Sequence, residues 1–157
     1  MSVQTSPLDH RFCVAPMLDC TDRHSRYLFR LISKRSVLYT EMVTTGALLF
    51  GDVPRFLSFN KAEHPLELQL GGSEPDAMAR CAELAQEWQY DEVNINVGCP
   101  SDRVQSGAFG ACLMQRPNLV ADNVRAMSAV TDIAVTIKCR IGIDEQEPRD
   151  ALWALVD

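Results

Sequence analysis

Apolar positions along this chain switch between two spacings. Residues 12–15, 37–40, 66–70, 92–97 and 134–138 are short apolar or alternating runs of strand length. Between them the spacing becomes helical. Tyr27, Leu28, Leu31 and Ile32 form a stripe over residues 22–33, with Thr21 and Asp22 as the start signal. Met78, Cys81, Leu84, Ala85 and Trp88 share one face of a helix opened by Ser73 and Pro75. Leu119, Val120, Val124, Met127 and Val130 follow Pro117, and Leu152, Leu155 and Val156 follow Pro148. Two long connections remain, residues 41–65, whose apolar stretch predicts a short helix, and residues 99–116.

Strand and helix alternate throughout, which predicts parallel strands joined by helical crossovers and an α/β fold. An open doubly wound sheet and a closed barrel share that order, and the polar positions separate them. Glu67 and Gln69 alternate with Leu66, Leu68 and Leu70; Glu92, Asn94 and Asn96 alternate with Val93, Ile95 and Val97; Thr136, Lys138 and Arg140 alternate with Val135 and Ile137. Parallel strands are ordinarily apolar on both faces. Three successive strands with one polar face predict a (β/α)8 TIM-type barrel whose interior becomes polar toward the strand C-termini, where barrel active sites lie. An antiparallel sheet with one solvated face is the alternative, and the long intervening helices argue against it.

Composition narrows the class. The chain has 157 residues, 46% of them hydrophobic, and a net charge of −6. It contains no apolar run near the ~20 residues of a membrane span. Residues 1–10 are polar and lack the pattern of a secretory signal, so they are expected to be a flexible lead-in to a domain covering residues 11–157. The six cysteines form no C-x-x-C pair and the histidines add no zinc-type spacing, so no metal site is expected. Reduced thiols and the missing signal point to the cytoplasm. The acidic balance argues mildly against a nucleic-acid partner.

Candidate chemistry gathers at the strand ends. Asn94-Ile95-Asn96-Val97-Gly98-Cys99-Pro100 closes the fourth strand, with Gly98 expected to permit a sharp turn that presents the Cys99 thiol beside Asn96. Cys99 could act there as a nucleophile or as a general acid, against the plainer reading of an inert buried cysteine. Lys138, from the next strand, would place a cation suited to a delocalised anion such as a reduced flavin. Gln69 both donates and accepts, as the edge of an isoalloxazine requires. Ala15-Pro16-Met17-Leu18 could floor a flat ring.

These segments resemble the tRNA-dihydrouridine synthases, in particular their A-type branch. The resemblance rests on Ala15-Pro16-Met17-Leu18-Asp19, Thr21-Asp22-Arg23-His24, Tyr39 to Gly46, Leu68-Gln69-Leu70-Gly71-Gly72, Asn94 to Gln105, Phe109 to Met114 and Val135 to Gly142. It covers roughly residues 11–147. It implies an FMN enzyme that uses NADPH to reduce the C5–C6 bond of D-loop uridines in tRNA, with hydride delivered to C6 and a cysteine protonating C5. By that resemblance Cys99 is the proton donor. By the same resemblance Pro16, Met17, Leu18, Gln69 and Lys138 contact FMN and Asn96 contacts the target uridine, while Arg103 is a candidate for tRNA phosphate contact with solvated surface charge as its alternative. Lys34 and Arg35 are further candidates for phosphate contact, with solvated surface charge as their alternative.

A closed barrel of this type has eight strands and ~250 residues, and about five β/α units are legible here. The chain is therefore expected to be the N-terminal part of such a domain. On its own it would hold FMN weakly and tend to aggregate or pair. Two other readings stay open: another FMN barrel reductase acting on a free pyrimidine, and a non-catalytic fragment.

Overall fold

The computed structural model describes residues 8–101, 104 and 107–156. Its sheet is built from β1 (Cys13–Val14), β2 (Val37–Tyr39), β3 (Val43–Thr44), β4 (Leu66–Gly71), β5 (Glu92–Val97) and β6 (Ala134–Cys139). The order is β1-β2-β4-β5-β6, every pairing is parallel, and β3 pairs with β4. Helices α1 (Arg23–Ile32), α2 (Thr45–Phe50), α3 (Val53–Leu57), α4 (Pro75–Glu87), α5 (Pro117–Ser128) and α6 (Pro148–Val156) lie between and after the strands. This is a parallel-strand half-barrel, an incomplete TIM barrel. Parallel pairing rules out the antiparallel alternative. No helix among the described residues is long and apolar enough to cross a membrane.

β2 and β3 are one interrupted stave. Tyr39 pairs with Glu67 and Val43 with Leu70, so this side advances four residues while β4 advances three. The extra residue is a bulge, a device that re-aims side chains next to active sites. Two strand residues are too few for a period to register, so in the sequence they fall within the connection of residues 41–65. That loop also holds more structure than the one short helix expected: α2, α3 and a 3-10 turn over Lys61–Glu63.

The core lies between the sheet's outer face and the helices. Leu66, Leu68 and Leu70 of β4 and Val93, Ile95 and Val97 of β5 are fully buried there, against Met78, Cys81, Ala82 and Ala85 of α4 and Val120 and Met127 of α5. Each such side chain removed from water contributes about 1.5–3 kcal/mol.

The stripe expected on α1 does not face this core. Leu28, Leu31 and Ile32 are exposed, at 56%, 66% and 75%, while Arg26 and Arg30 are buried. Specific partners hold the two arginines. Arg26 Nε donates to Glu63 Oε2 at 2.6 Å, and Arg30 donates to the carbonyls of Ser33, Glu63 and Pro65. Glu63 also closes a capping box with Asn60. Polar anchoring of the descending 58–65 segment thus sets the face that α1 presents, overriding its apolar stripe.

Candidate active site

Register stacks the inward-facing side chains in tiers. Glu67 of β4 lies beside Glu92 of β5; Gln69 lies beside Asn94, which lies beside Thr136 of β6; Asn96 lies beside Lys138. The interior is therefore polar from the strand N-termini upward, not only toward the C-termini as the sequence suggested. Glu67, Gln69, Glu92 and Asn94 are all essentially inaccessible to water.

The uppermost tier opens into a cleft of about 250 Å³ at the C-terminal end of the strands, just below the usual range of small-molecule sites, about 300–1,000 Å³. Pro16, Leu18, Gln69, Asn96, Cys99 and Lys138 all line it. The structure thus brings together six of the ten side chains singled out from the sequence. Met17 is not among the lining residues; its backbone carbonyl instead accepts from the N–H groups of Cys20 and Thr21 and closes the turn behind Leu18. Arg103 lies outside the described residues. Lys34 and Arg35 join the end of α1 to the start of β2, so they sit at the floor end, opposite the cleft.

The turn carrying Cys99 is closed by a side chain. Asn96 Oδ1 accepts from Gly98 N at 3.1 Å and Cys99 N at 2.9 Å, an Asx-type turn. Gly98 is not what makes the turn possible, because a Cβ there would meet nothing nearer than 3.5 Å. The glycine that matters is Gly110, whose φ is +74° and where a Cβ would stand 2.2 Å from Val104 Cγ1 and 2.6 Å from Cys99 O. Ala111 N donates to that same carbonyl at 2.9 Å. The Gly110–Gln115 3-10 turn therefore props the Cys99 backbone from below. Cys99 Sγ itself donates to Ser101 Oγ at 3.6 Å.

Met42 and Ser101 carry no separate signal in the sequence, and Arg140 shows there only as a polar-face position of the last strand. Met42 is turned into the cleft beside the bulge. Ser101 is the partner of the Cys99 thiol. Arg140 donates from Nε to Gly98 O at 2.7 Å, pinning the turn to the exit of β6.

The amides at the mouth keep some capacity free. Gln69 Oε1 accepts from Asn96 Nδ2 at 2.8 Å, and Gln69 Nε2 donates to Asn94 Oδ1 at 2.7 Å. A carboxamide has two N–H donors and two lone pairs. Gln69 can thus offer one donor and one acceptor to a ligand, and Asn96 one donor.

The floor of the barrel holds a second polar group. His10 Nε2 stands 3.0 Å from both Glu67 Oε1 and Glu92 Oε2, the one set of ligand-type side chains among the described residues close enough for a metal. Burial alone would lower the His10 pKa, but the hydrogen bonds and charges of Glu67 and Glu92 outweigh it and raise it. Burial raises Glu67 in turn, opposed by hydrogen bonds from Tyr39, Thr136 and His10. The partners lie 57 and 82 residues from His10, so no local spacing announces the cluster. His10 belongs to the segment expected to be a loose lead-in, most of which falls outside the described residues.

A sequence profile described as Dihydrouridine synthase (Dus) matches residues 13–154. The chain belongs to the dihydrouridine synthase family. Among curated dihydrouridine synthases it is similar to the tRNA-dihydrouridine(20/20a) synthase of Vibrio parahaemolyticus, 63% identical over 146 residues. It is also similar to the protein of that name in Shewanella oneidensis, 62% identical over 150 residues, and in Escherichia coli K12, 60% identical over 147. These matches cover 93%, 96% and 94% of this chain and 44%, 44% and 42% of the relatives. The chain thus spans less than half the length of the dihydrouridine synthases it matches.

Proposed function

We propose that this chain carries the hydride-accepting and proton-donating part of a tRNA-dihydrouridine synthase, with FMN as cofactor, NADPH as reductant and D-loop uridines as substrate. The observation that carries the reading is the meeting of Cys99, Asn96, Gln69 and Lys138 in one cleft at the strand C-termini. They come from three different strands and their exits, and the profile match and the names of the relatives supply the chemistry.

The residues fit a flavin ring. Pro16 and Leu18 form an apolar wall. Gln69 offers one donor and one acceptor to a heteroaromatic edge, and Lys138 supplies positive charge for a delocalised anion. When bound, FMN supplies the hydride that reaches C6 of uridine, after NADPH has reduced it.

The chain's own residues handle the proton. Hydride arriving at C6 leaves negative charge over C5 and the C4 carbonyl, so an acid must be held at C5. Cys99 gives its Sγ proton to C5: a C–H bond forms, the S–H bond breaks, and the thiolate recovers its proton from solvent. Asn96 fixes the turn that presents the thiol and directs its remaining N–H at the uracil. Uridine is stacked within folded tRNA, so it enters the cleft by leaving its stack. Arg103 lies four residues beyond Cys99 in the sequence, and we assign it to the tRNA backbone.

The test is reduction of unmodified tRNA by the FMN-loaded protein with NADPH, read by mass after nuclease digestion. A gain of two hydrogens on D-loop uridines is expected. Oxidation of NADPH with no such gain would overturn the reading, and reduction of free uracil alone would favour a pyrimidine reductase.

A further inference from the structure

The mouth and the floor of the barrel are joined by hydrogen bonds that run one way. Asn96 Nδ2 donates to Gln69 Oε1 at 2.8 Å, Gln69 Nε2 to Asn94 Oδ1 at 2.7 Å, and Asn94 Nδ2 to Thr136 Oγ1 at 2.7 Å. Thr136 Oγ1 then donates to Glu67 Oε2 at 2.8 Å.

The direction follows from one end. At the mouth, the oxygen of Asn96 must face the backbone N–H groups of Gly98 and Cys99, which can only donate. That turns the Asn96 nitrogen toward Gln69. The Gln69 oxygen must then face Asn96, its nitrogen must face Asn94, and the Asn94 nitrogen must face Thr136. The Thr136 hydroxyl has taken a donor from above and spends its single proton downward. Glu67 Oε2 is its acceptor there. Every amide orientation thus follows from the two backbone N–H groups at the mouth. Reversing any one member would set oxygen against oxygen or N–H against N–H in a buried place.

We propose that Thr136, bonded to Glu67 at the floor of the barrel, is a positioning residue for the mouth: its hydroxyl gives the Asn94 N–H its acceptor, and so holds the Asn94–Gln69–Asn96 line in the orientation that the turn carrying Cys99 requires. Its effect on uridine reduction rests on the function proposed above; its effect on the Cys99 turn does not. Thr136 touches neither the cleft nor the reacting atoms. It links the Glu67 side chain, which accepts from it, to the Asn94 amide, which needs an acceptor. Tyr39 and His10 complete the anchor by bonding to Glu67.

Three substitutions at this position separate the relay from packing. Thr136→Val keeps the side-chain shape and loses the hydroxyl. Thr136→Ser keeps the hydroxyl and loses a methyl group. Thr136→Ala loses both and adds no bulk. Packing alone ranks Val above Ser, whereas the relay ranks Ser above Val and Ala. Two readouts apply in the intact protein: alkylation of Cys99 by iodoacetamide, followed by peptide mass, and uridine reduction in a single turnover.

Thr136→Val and Thr136→Ala are expected to speed Cys99 alkylation at least about threefold and slow uridine reduction about tenfold, the size expected when the buried Asn94 amide loses the partner of one N–H. Thr136→Ser should stay within about twofold of wild type in both. Wild-type alkylation in the Val and Ala proteins, or a Ser protein as altered as Val, would overturn the proposal. If the wild type reduces no uridine but alkylation follows the hydroxyl, the relay stands and the proposed function fails.

Discussion

Asn96 and Cys99 are tied by a 2.9 Å hydrogen bond from the Cys99 backbone N–H to the Asn96 side-chain oxygen. The residue that borders the cleft therefore also sets where the thiol stands. Asn96→Ala removes the oxygen that closes the turn. Uridine reduction is expected to fall about 10²-fold, the cost of a misplacement near 1 Å, with faster alkylation of Cys99. Single-turnover kinetics and peptide mapping check both.

Cys99→Ala removes the proposed proton donor and leaves Gln69, Lys138 and the Pro16–Leu18 wall in place. Bleaching of the flavin by NADPH should proceed at close to the wild-type rate. Uridine reduction should fall by about 10²–10⁴, the usual worth of a general acid. Stopped-flow absorbance separates the two half-reactions, and a near-normal rate of uridine reduction would remove Cys99 from the role.

Gly110→Ala forces a Cβ against the Cys99 carbonyl and Val104 at a left-handed backbone position. Such strain costs about 1–3 kcal/mol. A lower melting temperature is expected, and Cys99 should be repositioned because Ala111 bonds the same carbonyl. Gly98→Ala, which meets only ordinary contacts, should melt close to wild type.

Arg26 and Glu63 form an ion pair with side chains 5% and 0% exposed. Arg26→Met leaves a buried carboxylate without its counter-charge, which costs about 3–5 kcal/mol. Denaturant titration of Arg26→Met against Arg26→Met/Glu63→Gln checks this. The double variant should recover part of the loss, since the stranded charge is gone.

His10 is held by Glu67 and Glu92, and its pKa is raised above the ordinary 6.5. A raised histidine pKa adds stability that is full below 6.5 and is lost as pH climbs through the raised value. Amide exchange at β1 should therefore quicken as pH rises above 6.5, after correction for the intrinsic exchange rate. His10→Ala should abolish that added dependence.

Most of this was legible wherever a period had room to repeat. β5 has the expected bounds, β4 and β6 each run one residue longer, and their alternation gave the inward positions of Gln69, Asn96 and Lys138. Cys99 and its neighbours were legible as a motif at a strand end. What escaped was settled at a distance or by polar anchoring. The bulge before Val43 depends on pairing with β4, and His10 docks on residues brought in from β4 and β5. The α1 stripe misled because Arg26 and Arg30, anchored on the 58–65 segment, turn the helix the other way.

The sheet divides its two faces between separate tasks. The outward tiers of leucine, valine and isoleucine hold the staves to their helices, while the inward tiers of Glu, Gln, Asn, Thr and Lys add little apolar burial. Selection can thus act on the two sets with little interference. The inner set can be rewritten for another substrate while the outer set keeps the scaffold, provided each new polar side chain finds a partner on the neighbouring stave. That condition makes substitutions here travel in groups: a change at Asn94 calls for matching changes at Gln69 and Thr136, so descendants with new chemistry should differ at several inner positions together.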